Sequence, residues 1–162
     1  MSPTSPPSVP PVTQNTWIFQ AHPSLYRINE ALKIEPKELW NINQHAKKVR
    51  RGDRALIWIS GDHAGIYAIG TVQHDPIMQP DSDIGQAYWI DKRRGQAVKP
   101  RVEVVYDRIL LNRPLSKAML RTDLALIGLS ILRYQRGTVF PVTPQEWMAI
   151  ETWLEDDDTS AI

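Results

Sequence analysis

Three tryptophans stand where flat aromatic faces meet polar and basic neighbours. Trp40 sits among amides in Leu39-Trp40-Asn41-Ile42-Asn43-Gln44, Trp58 opens Trp58-Ile59-Ser60-Gly61, and Trp89 lies in a long polar stretch. An indole offers a π face on which a nucleobase stacks, worth ~1–3 kcal/mol per base. Lys47, Lys48, Arg50, Arg51 and Arg54 follow Trp40, and Lys92, Arg93, Arg94, Lys99 and Arg101 follow Trp89. Cations grouped in this way neutralise phosphates, and the resulting affinity falls steeply with salt. Each feature also has an ordinary reading. Trp58 lies in an apolar run that suits a core, Trp89 reads equally as pocket wall, loop anchor or exposed side chain, and basic runs are commonly solvated surface. Trp17, Trp147 and Trp153 occupy periodic apolar settings and are expected in the core.

Catalytic chemistry has few candidates. His22, His45, His63 and His74 lack metal-ligand spacing, and His63 beside Asp62 falls in a tight turn. Asp81, Asp83 and Asp91 lack the regular spacing of a calcium loop. Gly-rich phosphate loops, nucleophile elbows and paired carboxylates are missing from the pattern. The expectation is a binding module without catalysis, cofactor or metal.

The elements that must position these residues centre on one hairpin. Gly52-Asp53 is a turn pair leading into Arg54-Ala55-Leu56-Ile57-Trp58-Ile59, Ser60 to His63 is a second turn, and Ala64 to Val72 alternates small and large apolar residues. Two strands alone do not bury enough surface, so other elements must cover them. Thr16 to Gln20 has the β-branched and aromatic character of a first strand. Leu25, Ile28 and Leu32 share a helical face closed before Pro36, and residues 37–40 are ambiguous. The polar connection from Asp75 to about Lys99 is long enough to be functional or mobile. Pro100 to Leu111 reads as a strand, and Pro114 opens a helical stretch. Leu124 to Leu132 is apolar and broken at Gly128. Thr143-Pro144-Gln145-Glu146 is a capping box with proline at the first helical position. The acids from Glu155 to Asp158 meet the negative end of that helix dipole, so the helix is expected to unwind before Asp158.

Composition sets the frame. The chain has 162 residues, 42% hydrophobic, no cysteine and a net charge of +1, which suits one domain and a reducing, cytoplasmic setting. Residues 1–14 form a proline-rich leader, 15–155 the folded domain and 156–162 an acidic tail. Because the tail is acidic and the leader uncharged, residues 14–154 hold nineteen bases against fourteen acids. Such mild basicity permits nucleic-acid contact. No apolar run approaches the ~20 residues a membrane span requires. Strands mixed with short helices, without regular βαβ alternation, indicate an α+β domain.

The ordered set Trp40, Gly52-Asp53, Trp58-x-Ser60-Gly61, Ala64-Gly65-Ile66 and Gly70 resembles the EVE domain, of the PUA-like superfamily and related to YTH domains. Phe19 to Pro23 with Tyr26, and Gln135 to Thr143 with Trp147, agree with that resemblance over roughly residues 16–154. It implies a small mixed β-barrel with short helices around it. It also implies a pocket that takes a flipped-out modified base of DNA or RNA, such as a methylated or hydroxymethylated cytosine or a methylated adenine. By position, Trp40 is then a wall, Trp58 and Ser60 the floor, and Gln20 an amide that reads the base edge. Trp89 is a second wall, and Arg133 and Gln135 reach the rim. Lys47, Lys48, Arg50, Arg51, Lys92, Arg93 and Arg94 contact the nucleic-acid backbone, and any nuclease partner is a separate polypeptide. The alternative is a small-molecule or protein-binding barrel with no nucleotide ligand.

Overall fold

The computed structural model describes residues 14–43, 45–134 and 136–160, with side chains to residue 156. In chain order the strands are β1 (Thr16–Ala21), β2 (Lys37–Asn41), β3 (Arg54–Ile59), β4 (Gly65–Val72), β5 (Ile77–Gln79), β6 (Lys99–Ile109), β7 (Leu115–Ser116) and β8 (Val139–Val142). The helices are α1 (Ile28–Ile34), α2 (Asp83–Gln86), α3 (Lys92–Gln96), α4 (Lys117–Leu120), α5 (Ser130–Arg133) and α6 (Pro144–Ser160).

The expected hairpin is central. β3 and β4 pair antiparallel, β3 then takes β1 as a parallel neighbour and β4 takes β6. The path runs β2-β6-β4-β3-β1-β8, with β5 on β6 and β7 on β4. This curled mixed sheet leaves β2 and β8 at its ends. Alternation splits the apolar residues between two cores. Trp17, Phe19, Ala55, Ile57 and Trp40 pack on one face with Ile28 and Leu32 of α1. Ile18, Leu56, Trp58 and Ile66 pack on the other with Ile150 and Leu154 of α6. Asp53 fixes the turn before β3: its buried carboxylate accepts from Trp17 Nε1 at 2.9 Å, from Arg50 N at 2.9 Å and from Asn15 N at 3.2 Å.

Several local expectations change. Residues 37–41 form strand β2. The stretch after Pro114 begins as β7, and only one helical turn follows, capped by Ser116 Oγ on Met119 N at 3.1 Å. The capping box is reciprocal, with Glu146 N donating to Thr143 Oγ1 and Thr143 N to Glu146 Oε1. α6 does not unwind before Asp158 but runs to Ser160. Its buried Ile150 and Leu154 anchor the preceding turns, which outweighs an unfavourable terminal charge worth ~0.3–1 kcal/mol. Among the described residues no helix is long and apolar enough to cross a membrane.

Candidate nucleic-acid interface

A cavity of about 290 Å³ opens where the sheet fails to close. β2 supplies one side, the end of β1 and residues 137–138 another, and the connection from Asp81 to Arg101 the rest. Its volume is near the lower end of small-molecule sites, ~300–1,000 Å³.

The floor is a chain of hydrogen bonds around Glu38. Alternation along β2 buries Glu38 and Trp40 together. Trp40 Nε1 donates to the Tyr106 hydroxyl at 3.0 Å, Tyr106 donates to one Glu38 oxygen, and Tyr26 donates to the other. Burial raises the Glu38 carboxyl to about 7, more than the two hydroxyl donors pull it down. Both phenols are pushed up, first by burial and then by the Glu38 charge, so they stay protonated. A carboxyl raised by burial therefore sits under the cavity, with each of its oxygens accepting from a tyrosine hydroxyl.

The connection from residue 73 to 98 forms a wall rather than a loose loop. Trp89 packs on Tyr26 with ring centres 5.0 Å apart, and Tyr26 also stacks on Tyr88 at 5.8 Å. Trp89 Nε1 donates to Asp81 Oδ2 at 2.7 Å. Gly95 lets the backbone pass close to the indole; a Cβ there would lie 2.6 Å from Trp89 Cδ1. Buried Asp81 also accepts from Ser82 N at 2.7 Å, and burial raises its carboxyl despite these donors. Arg101 is only 1% exposed. Its Nε donates to Gln79 O and its Nη2 to Arg94 O and Ala97 O. This guanidinium fastens the connection to β6.

Gln20 closes the opposite side. Its Nε2 donates to Gly137 O at 2.8 Å, and its backbone N donates to Thr138 O at 2.8 Å. Gly137 has φ +139°, a conformation that side-chain-bearing residues rarely adopt, and it presents its carbonyl to that amide. One donor hydrogen of the Gln20 amide thus ties the end of β1 to Gly137.

The sequence candidates separate cleanly. Gln20, Trp40, Trp89 and Arg94 line the cavity. Trp58 does not: it is 2% exposed, inside the core that α6 covers. Ser60 does not either; it borders a shallow hollow with His63 and Tyr67, and its Oγ lies 2.6 Å from His22 Nδ1. The structure does not bring Trp58 and Ser60 into this cavity: Trp58 lies on the interior strand β3 and packs into core, and Ser60 follows the end of β3, beside His22. Arg133 is exposed over the Tyr134 ring and is not part of the lining. Gln135 lies outside the described residues. Lys47, Lys48 and Arg50 line a shallow hollow with Thr16 and Trp17, at the other end of β1, and Arg51 is exposed beside them in sequence. Lys92 donates to Gln86 O and Ala87 O, and Arg93 pairs with Asp91 at 3.1 Å. The cations that line the cavity are Arg94, Lys99 and Arg101.

Sequence reading did not bring Tyr26, Glu38, Asn41, Asp81 and Tyr106 together, and it counted Lys99 and Arg101 only among a basic group. The available signal was Glu38 two positions before Trp40, an acid on the buried face of an alternating segment. Among the described residues no three metal-ligating side chains cluster.

Comparison with known proteins agrees with the geometry. The EVE domain family model matches residues 15–153. A hypothetical protein from Leishmania major superposes with a TM-score of 0.66 at 15% identity, covering 90% of this chain and 97% of that one. Rpa0253 from Rhodopseudomonas palustris gives 0.62 at 22% identity, covering 83% and 89%. Human THYN1, solved in complex with DNA containing 5-methylcytosine, gives 0.63 at 17% identity, covering 86% and 97%. The curled mixed sheet with short helices is the PUA-like α+β arrangement these structures share. No curated protein matches the chain.

Proposed function

Because the chain belongs to the EVE domain family, we propose that it is a non-catalytic reader that draws one modified base of a nucleic acid into the cavity beside β2. The observation that carries this reading is the cavity itself. Trp40 and Trp89 line an open hollow with a hydrogen-bonding floor, and Arg94 and Lys99 line it too. A flipped base needs its ring clasped and its edge groups met, since an unpaired buried polar group costs ~1–3 kcal/mol. The cations supply the attraction for flanking phosphates. The fold likeness to human THYN1, solved with 5-methylcytosine-containing DNA, supports the same ligand class.

The size of the modification's effect is bounded. A buried methyl contributes ~0.8 kcal/mol, about fourfold in affinity. Calorimetry with short oligonucleotides carrying methylated, hydroxymethylated or unmodified bases tests the proposal. At least a fourfold preference for one modified form is expected, weakened in Trp40→Phe, which keeps an aromatic face but loses the indole's second ring and its Nε1 donor to Tyr106. Equal affinity for all forms in the wild type defeats the reader function. Tight binding of a free heterocycle with none for oligonucleotides favours a small-molecule barrel.

A further inference from the structure

β2 ends the sheet, and its outer edge faces the cavity. The register places Lys37 opposite Val105 and Asn41 opposite Arg101 on β6. Hydrogen bonds run from Tyr106 N to Pro36 O and from Ile42 N to Pro100 O. In an antiparallel ladder, bonded and non-bonded pairs alternate. Residues 36, 38, 40 and 42 therefore turn their peptide groups toward β6, whereas 37, 39 and 41 turn theirs outward. Leu39 and Asn41 both line the cavity. Their backbone N–H and C=O groups have no hydrogen-bond partner among the described residues. Buried or half-buried strand edges are ordinarily paired, covered or blunted. Here an acceptor at Leu39 and a donor at Asn41 stand two residues apart on one side of an extended strand, facing a hollow.

We propose that this open edge is the reading wall of the site. The base enters with its Watson–Crick edge against β2, so that the Leu39 carbonyl accepts from an exocyclic amino group and the Asn41 N–H donates to the adjacent ring nitrogen. The inference rests on the reader function proposed above and specifies which groups carry it. An added peptide strand, the usual occupant of such an edge, does not fit. The hollow is about 290 Å³, is floored by the Glu38 carboxyl with its two tyrosines, and is walled by Trp89 and by residues 137–138. That space suits one ring and not an extended chain. Cytosine presents N4-H₂ beside N3 and meets both peptide groups, leaving C5 turned away from β2. A modification at C5 is therefore compatible with reading, whereas one on the Watson–Crick edge, such as N6-methyladenine, stands between the base and the strand.

The test uses the whole chain and compares two substitutions at one position. Asn41→Pro removes the backbone donor while leaving the β6 ladder intact, because proline is tolerated on a strand edge whose N–H is unpaired. Asn41→Ala keeps the donor and removes only the side chain. With an oligonucleotide carrying 5-methylcytosine, Asn41→Pro is expected to bind at least tenfold more weakly than Asn41→Ala, from which it differs in the peptide donor. In the wild type, an oligonucleotide with 5-methyl-2-pyrimidinone, which keeps the methyl and lacks the amino group, is expected to lose a similar factor. N6-methyladenine is expected to show no gain over adenine. Equal binding by folded Asn41→Pro and Asn41→Ala overturns the reading wall. If Asn41→Pro fails to fold, equal binding of the two pyrimidines by wild type overturns it instead. A wild type that prefers a modified base yet passes neither comparison leaves the reader standing and removes β2 from it. A wild type with no preference for any modified base removes both.

Discussion

Trp40 and Trp58 occupy neighbouring parts of one sheet, and their fates diverge because of where their strands lie. Trp58 is on β3, which has β4 on one side and β1 on the other. Strands flank it on both sides, with a register shift in the β4 ladder between Ile57 and Trp58, and helix α6 packs on the core it joins. Trp40 is on β2, which has β6 on one side and the cavity on the other. The same residue type is thus enclosed by paired strands at the middle of the sheet, whereas at its end strand, though largely buried, it also borders the cavity. Whether a residue reaches this cavity is set by its strand's place in the order more than by its own chemistry.

The difference is sharpest for stability. Trp58→Ala is expected to lower unfolding free energy by ~3–5 kcal/mol, read from urea denaturation, and to leave base preference unchanged in the folded fraction. A Trp58→Ala protein with near-native stability and altered base preference breaks the comparison.

The seam also carries a pH signature that the sealed core lacks. Glu38 rises from its usual 4.5 to about 7 in the folded protein, chiefly through burial. Between those values the native state keeps a proton that the unfolded chain has released. Stability therefore falls as pH rises through that window and levels off above it, by up to ~3 kcal/mol. Thermal unfolding from pH 4.5 to 8 should show this decline, and Glu38→Gln should flatten it. A decline that persists in Glu38→Gln places its origin elsewhere.

The two ends of β1 provide a third contrast. Arg94 and Lys99 line the cavity, whereas Lys47, Lys48 and Arg50 border the hollow at the opposite end. Arg94→Ala with Lys99→Ala should weaken oligonucleotide binding about tenfold and reduce the slope of log affinity against log salt. The reduction should be roughly 0.7 per lost contact on a single strand. Lys47→Ala with Lys48→Ala should change both by much less. Equal effects would mean that the nucleic acid tracks along β1 instead of converging on the cavity.

What the sequence disclosed follows from the range of its signals. Turn pairs, capping residues and two-residue alternation are local, so the hairpin of β3 and β4, the first strand and the Thr143-Glu146 capping box could all be read directly. That Trp40 and Gln20 border the cavity was approachable through the spacing of motifs, and Trp89 through its place in a long polar stretch. The floor was not, because it joins Tyr26, Glu38 and Tyr106 through contacts as far apart as 68 positions. Arg101 offered no local sign of burial, since its three carbonyl partners come from a connection that reads only as polar loop. Trp58 misled for the converse reason: a Trp-x-Ser pattern states what lies nearby in the chain and nothing about which strands flank it.

The smallest effect isolates the seam most directly. Asn41 Oδ1 is buried without a hydrogen-bond partner, a defect that a sealed core rarely tolerates. Leaving such an acceptor unpaired costs ~1–3 kcal/mol, and replacing it with an apolar group that the adjoining cavity has room for recovers part of that cost. Asn41→Leu is therefore expected to raise stability by about 1 kcal/mol, seen as a higher thermal midpoint. The bulkier apolar side chain would narrow the cavity beside the open peptide edge, so base binding should fall as stability climbs. Opposite movement of the two quantities is what a site built on an unfinished sheet edge requires. A variant that loses both stability and binding would show instead that the Asn41 amide holds β2 in place.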